Sequence, residues 1–459
     1  MTTADSKLQV QASSDELVKK GQKYYMPNYK PREMILDHGK GATVWDLDGN
    51  DYVDFSSGIA VSSLGHQDDD LKRALEDQVH KLWHTSNVFF TEPPIRLAEA
   101  LVNSAPFARK VYFCNSGAEA NEAAIKIARK YAADQGKTPE QREIITFNGS
   151  FHGRTLATVT ATAQPKYHQG FEPLPGGFTY CEHFNDEDAI TRLVSENTCA
   201  IIVEPVQGEG GVVPAKPGFL KHLRKLCDDF GALLIFDEIQ CGVGRTGTLY
   251  AHTQDEVEPD IMTLAKALGC GFPIGATLVG EKAQDTLQLG THGSTFGGNP
   301  VSCAVALAGL EKISNPVLLE QVKLNAQQFH DELDKINDEL HMFADIRGRG
   351  LMIGAELKEQ WHGKAGAISE QARMQGLLVL VAGPNVVRFL PPLTVNEDEI
   401  KEGFIRFRRA LDSFLQEERR ASGDESSSSI SLSGNKVWQK VKMLWRRIVR
   451  IFTFGKAGK

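Results

Sequence analysis

The sequence predicts an α/β protein: a large central domain built on a mainly parallel sheet, followed by a smaller α+β domain. Three observations predict it. Short, largely apolar runs recur through the middle of the chain: VYFC (111–114), IITF (144–147), AIIV (200–203), LLIF (233–236) and IMTL (261–264). Such runs suit strands buried on both faces. Amphipathic stretches of helical period lie between several of them, and strand–helix alternation implies a parallel sheet with helices on both faces. From about residue 306 the pattern changes to two helices and then short apolar runs, as a second domain would show.

Each element follows in order. TVWDLDGNDYVD (43–54) has the alternation and DGN turn of a hairpin. NSGAEANEAAIKIARKYAA follows VYFC directly, with apolar residues at 120, 124, 127, 128 and 131, so a helix begins near Gly117. PGFLKHLRKLCDDFGA precedes LLIF, with Pro217 and Gly218 opening a helix and Gly231 closing it. Late in the chain, RGRGLMIGAEL, GLLVLVAG and VVRFLPPL follow the helices VALAGLEKI and LEQVKLNAQQFHDELDKI. The expected division is 1–70, an N-terminal segment joining the small domain; 71–305, the large domain; 306–420, the small α+β domain; 421–435, a Ser-rich linker. Residues 436–454 are expected to form a cationic amphipathic helix.

Composition narrows the function classes. The 459 residues are 41% hydrophobic and 24% charged, ordinary for a globular protein. No run approaches the ~18 apolar residues of a membrane span, and the N-terminus shows no basic-then-apolar secretory pattern. Seven scattered cysteines without CxxC read as reduced thiols, and no HExxH or other ligand spacing suggests a metal. The expectation is a cytoplasmic protein. From 436 to 459 there are eight Lys/Arg and no Asp/Glu; setting those aside, the net charge of −8 becomes −16 for residues 1–435. That acidic body argues against nucleic-acid binding.

The chemistry centres on LAKALGCGFPIG (264–275). Lys266 stands among apolar residues and glycines, where an amine's charge is expensive and its pKa falls. A neutral amine can bond covalently to an aldehyde. Carbanion chemistry on pyridoxal 5'-phosphate needs such a lysine, a carboxylate for the ring nitrogen and a phosphate cradle. Asp237, directly after LLIF, offers the carboxylate. Ser116, Gly117 and Ala118, opening the helix after VYFC, offer backbone N–H groups and a hydroxyl, although an ordinary helix cap reads the same way. GVGRTG (242–247) formally matches a dinucleotide-binding GxGxxG. It does not follow its strand directly and opens no periodic helix, so that reading has little support.

FDEIQCGVGRTG together with PDIMTLAKALGCGFPIGA resembles the signature of class III (subgroup II) pyridoxal-phosphate-dependent aminotransferases of fold type I. From about residue 22 to 415 the chain is similar to their bacterial acetylornithine group, through NSGAEANEAAIKIAR, FNGSFHGRTLATV, VEPVQGEGGV, HGSTFGGNP and VVRFLPPL. The resemblance implies a seven-stranded sheet. It implies Lys266 as the covalent cofactor link and proton carrier, and Asp237 on the ring nitrogen. Gln240 would sit on the ring hydroxyl, Phe151 against the ring face, and Gly117 and Ala118 on the phosphate. It implies a homodimer with shared sites, Thr295 reaching the neighbouring subunit's phosphate and Ser294 lying beside the substrate. Arg154 would hold the donor's α-carboxylate and Arg388 a carboxylate of 2-oxoglutarate or glutamate. Glu209 would pair with Arg388 while an ω-amine is bound. The implied reaction moves the δ-amino group of N-acetylornithine to 2-oxoglutarate, in arginine metabolism. Succinylornithine, succinyldiaminopimelate, ornithine or 4-aminobutyrate are the alternative donors, and a non-catalytic scaffold is the alternative of another class.

The resemblance stops short of the tail. On a helical wheel Val437, Trp438, Val441, Leu444, Trp445, Ile448, Val449, Ile451 and Phe452 share one arc; Lys440, Lys442, Arg446, Arg447 and Arg450 fill the rest, with Met443 and Phe454 among them. The arc suits an anionic membrane surface, a partner protein's groove or the protein's own acidic body.

Overall fold

The structure, a computed structural model, describes residues 13–422. The linker and the basic helix expected at 421–435 and 436–454 lie outside the described residues, apart from Ala421 and Ser422. The described residues divide into two units, one ending at 411 and the other beginning at 412. Every described strand belongs to the first.

The centre of that unit is a seven-stranded sheet. In chain order the strands are β1 (Ala108–Cys114), β2 (Glu143–Phe147), β3 (Phe178–Cys181), β4 (Thr198–Val203), β5 (Leu233–Asp237), β6 (Ile261–Leu264) and β7 (Gly275–Gly280). They lie in the order β3-β2-β4-β5-β6-β7-β1, and β7 alone runs antiparallel to its neighbours. Register is set by the central strands, Phe236 opposite Val203 and Asp237 opposite Thr263. Alternate side chains enter two cores, one on each face. Ile145, Ile201, Val203, Leu234 and Phe236 pack on the helix Phe219–Phe230; Ile144, Ala200, Ile202, Ile235 and Ile261 pack on the helix Gly117–Asp134. Both faces are covered, which is why these strands carry no polar alternation.

Three strands differ from expectation, among them β3, whose partly exposed FTYC gives no wholly apolar run. VYFC is partly open, because β1 is an edge strand: only Ala108 and Cys114 of it are fully buried. GATLVG, the sequence of β7, went unrecognised, because a short strand flanked by glycines reads as a loop.

The hairpin at 43–54 forms from strands Thr43–Asp46 and Asp51–Asp54, and Val53 pairs with Leu377 in the late part of the chain. Gly218 and Gly231 cap the helix Phe219–Phe230. The later region is a four-stranded antiparallel sheet containing Phe343–Arg349, Met352–Leu357, Leu380–Val381 and Val386–Phe389, preceded by helices Pro300–Ile313 and Pro316–Leu340. The expected boundaries at 70/71 and 305/306 both fall inside helices, Asp69–Val79 and Pro300–Ile313. GVGRTG is a structural loop. Arg245 is fully buried and donates to the carbonyls of Leu351 and Pro391, binding residues far apart in sequence. Among the described residues no single helix is long and apolar enough to cross a membrane.

Candidate active site

The carboxyl ends of parallel strands converge on a cavity of about 390 Å³, where ligands gather in sheets of this kind. Asp237 ends β5; Lys266 comes two residues after β6, Ser116 two after β1 and Glu204 one after β4; Phe151 and His152 follow β2. All six line the cavity.

Lys266 has a backbone φ of 40°, left-handed geometry that a lysine adopts only under constraint from its surroundings. Burial lowers its pKa below the usual lysine range, and the Glu209 charge opposes that shift without overcoming it. Asp237 is fixed from three sides. Its Oδ2 accepts from Asn121 Nδ2 at 2.7 Å and bonds His152 Nδ1 at 2.7 Å; its Oδ1 accepts the Ile239 N–H at 3.1 Å. Burial would lower the pKa of His152, but the bond to Asp237 and its charge outweigh that and raise it. Glu204 is buried and takes no side-chain donor among the described residues; its oxygens accept the N–H groups of Phe151 and Gly208. Burial lifts its carboxyl to about 7, against the pull of His152.

Ser116 caps the helix Gly117–Asp134, its hydroxyl accepting the Glu119 N–H at 3.2 Å. The first-turn N–H groups of Gly117 and Ala118 have no intrahelical acceptor and lie at the positive end of the helix dipole. A side chain at Gly117 would meet Ile239 at 2.9 Å, so the glycine is required by packing as well as by access to a ligand.

Behind the cavity lies a second network. Arg388, in Val386–Phe389, is 2% exposed. Its Nη1 donates to Glu209 Oε1 at 2.6 Å, to Gln240 Oε1 at 3.0 Å and to the Gly208 carbonyl at 3.0 Å, while its buried Nε has no acceptor among the described residues. Burial would raise the Glu209 pKa, but the Arg388 charge holds it below the usual carboxylate range. Gln240 Nε2 also reaches Glu209 at 3.4 Å, so the Gln240 amide belongs to this network as well as to the cavity.

The positions singled out from the sequence therefore fall into three places. Ser116, Gly117, Ala118, Phe151, Arg154, Asp237, Gln240 and Lys266 share the cavity. Glu209 and Arg388 adjoin it through Gln240, and Ser294 through Asn115, whose Nδ2 donates to the Ser294 hydroxyl at 3.0 Å. Thr295 does not line this cavity; it lines a second one of about 230 Å³ with His84, Phe89 and Phe90. Asn121, His152 and Glu204 were missed. All three stand inside motifs quoted for other residues, NSGAEAN, FHGR and VEPVQGEGGV, and a polar residue in an otherwise small or apolar motif was the available signal.

The residues fit pyridoxal phosphate on the structure's own observations: an amine of lowered pKa in the cavity wall, a buried carboxylate at the end of the adjacent strand and a helix N-terminus with unspent N–H donors. Comparison with known proteins agrees. The model of the family Aminotransferase class-III matches residues 24–411. An acetylornithine aminotransferase of Xanthomonas campestris is 56% identical over 393 residues, 85% of this chain and 96% of that protein. A succinylornithine transaminase of Yersinia pseudotuberculosis is 52% identical over 398 residues, 86% of this chain and 96% of that protein. The crystal structure of N-acetylornithine aminotransferase from Stenotrophomonas maltophilia K279a superposes with a TM-score of 0.77 at 47% identity, covering 87% of this chain and all of that one. The chain belongs to the class III aminotransferases, and it is a pyridoxal-phosphate-dependent transaminase.

Proposed function

We propose that the protein transfers the δ-amino group of N-acetylornithine to 2-oxoglutarate, giving N-acetylglutamate 5-semialdehyde and glutamate. The observation that carries this reading is the division of cationic groups at the site. Arg388 is neutralised by Glu209 at 2.6 Å, while Arg154, at the cavity, carries no ion pair among the described residues. A donor with one carboxylate and a distant amine suits Arg154 alone; a dicarboxylate acceptor also needs Arg388, released from Glu209. The similarity to acetylornithine aminotransferases supports the same donor.

Pyridoxal phosphate, when bound, supplies a carbonyl that takes up the amino group and a ring that withdraws electrons. Lys266 Nζ, its pKa lowered by burial, would hold the cofactor covalently and, when free of it, would take the proton from the donor's δ-carbon. Asp237, oriented by Asn121 and His152, keeps a proton on the ring nitrogen. Phe151, in the cavity wall, would cover one ring face and exclude water. Gln240 donates toward the ring hydroxyl, and Ser116, Gly117 and Ala118 hold the phosphate. Arg154 holds the donor's α-carboxylate, with Ser294 beside it.

A homodimer completes the site in this proposal. Thr295 lies outside its own chain's cavity, on a surface where Trp83 (67% exposed), Phe89 and Phe90 (95% exposed) are uncovered. Thr295 of each subunit would reach the phosphate held by the other; a monomer by light scattering overturns this. We assign the N-terminal segment to the small domain, because Val53 pairs with Leu377, and set the start of that domain at Asn299, which caps the helix Pro300–Ile313. Seven free, buried cysteines support a cytoplasmic enzyme.

Side-by-side turnover of N-acetylornithine, N-succinylornithine, ornithine and 4-aminobutyrate with 2-oxoglutarate tests the function. A higher kcat/KM for any of the others than for N-acetylornithine overturns the choice of donor.

A further inference from the structure

We propose that Tyr167 is the positioning residue that sets donor affinity, by holding the Arg154 guanidinium flat with its N–H edge open to the donor's α-carboxylate. The proposal rests on the donor assignment above and deepens it. Arg154 Cζ lies 3.8 Å from the centre of the Tyr167 ring and 4.9 Å from that of Phe151, and the two rings stand 6.2 Å apart at 85°. Among the described residues Arg154 makes no hydrogen bond and no ion pair. An exposed arginine with no partner samples many rotamers, and a carboxylate that captures it must first order it. Stacking removes that cost in advance. On the Tyr167 ring it covers one face of the guanidinium, a poor hydrogen-bonding surface, and leaves the planar fork of N–H donors at the edge.

The ring itself is anchored. Tyr167 ends the short helical turn Pro165–Tyr167. His168, next in the chain, bonds the carbonyls of Val159 and Thr162 at 2.9 and 2.8 Å through Nε2. Gln164, before the turn, donates to the Ser150 carbonyl at 2.8 Å, tying it to the loop that carries Phe151. Lys166 Nζ lies 4.7 Å from the same ring centre, so a second positive charge stands beside the ring that holds Arg154 and adds to the field that draws a carboxylate.

The experiment uses the cofactor-loaded enzyme, the variants Tyr167→Leu and Tyr167→Phe, and two donors that differ by one group: N-acetylornithine and N-acetyl-1,4-diaminobutane, which lacks the α-carboxylate. Tyr167→Leu is expected to raise KM for N-acetylornithine by about 2- to 30-fold, the range spanned by cation–π contacts from exposed to desolvated sites, with kcat within about twofold. Its kcat/KM for N-acetyl-1,4-diaminobutane should stay at the wild-type value, and Tyr167→Phe, which keeps the ring, should behave as wild type with both. An unchanged KM for N-acetylornithine in Tyr167→Leu overturns the proposal, as does an equal loss with both donors, which would mean a general structural role. The wild-type rates test the donor assignment separately. A wild type that uses ornithine but not N-acetylornithine sinks that assignment, and the Tyr167 comparison is then read with ornithine against 1,4-diaminobutane.

Discussion

Replacing Glu209 by glutamine should unlatch Arg388. The two groups meet at 2.6 Å, with Arg388 2% exposed. A charge-assisted hydrogen bond of this kind contributes about 1.5–3 kcal/mol. In the wild type 2-oxoglutarate must break it before its own carboxylate can occupy the guanidinium. In the variant that cost is gone, while the ω-amine donor meets an arginine whose charge is no longer neutralised. At 1.36 kcal/mol per factor of ten, the ratio of the two half-reaction constants should move by about 10- to 150-fold in favour of the oxo acid. Rapid mixing separates the halves: one records loss of the aldehyde-form absorbance with N-acetylornithine, the other its return with 2-oxoglutarate. Glutamate should also become a better amino donor. If both halves change by the same factor, Glu209 does not act as a gate and the reasoning fails.

Other expectations concern single groups. Lys266→Met should lower turnover by about 10²- to 10⁴-fold, the usual range for a proton-transfer group. The same change should stabilise the cofactor-free protein by on the order of 1–3 kcal/mol at pH 7, as a buried polar group is removed. The folded pKa of Lys266 lies below its ordinary 10.5; the folded state therefore binds the proton less well, and the stability gain should shrink as pH rises toward 10.5. Glu204 has the opposite linkage. Its folded pKa of about 7 exceeds the ordinary 4.5, so the stability it lends is complete below pH 4.5 and is lost as pH rises through 7. A protonated-carboxyl infrared band absent from Glu204→Gln should fade over that upper range. Phe329 packs against Phe55 at 4.9 Å and Phe404 at 5.0 Å. Phe329→Ala should cost about 3–5 kcal/mol, seen as a lower apparent melting temperature; an unchanged melt would mean that this cluster contributes little.

Much of the fold was readable because burial on both faces writes itself into sequence. Ile144, Ile201 and Ile235 are apolar whichever way they point. The same rule hid β3, where Tyr180 is 37% exposed, and β7, whose bounding glycines resemble turn residues. At the site, Lys266 stood out because a lysine in an apolar run needs a reason. Glu204 did not, since a carboxylate after a strand usually faces water, and only its two backbone donors show that this one is inside.

Local sequence determined the elements: largely apolar runs in the strands, helix starts at Ser116 and Gly218, the amine at 266 and the carboxylate at 237. Their convergence was left to tertiary structure. Asp237 meets Asn121 and His152 across 116 and 85 residues of chain, and Arg388 meets Glu209 across 179. Periodicity reports which way a side chain faces within its own strand or helix. Which distant side chain it meets is set by strand order, and strand order comes from packing the whole sheet at once.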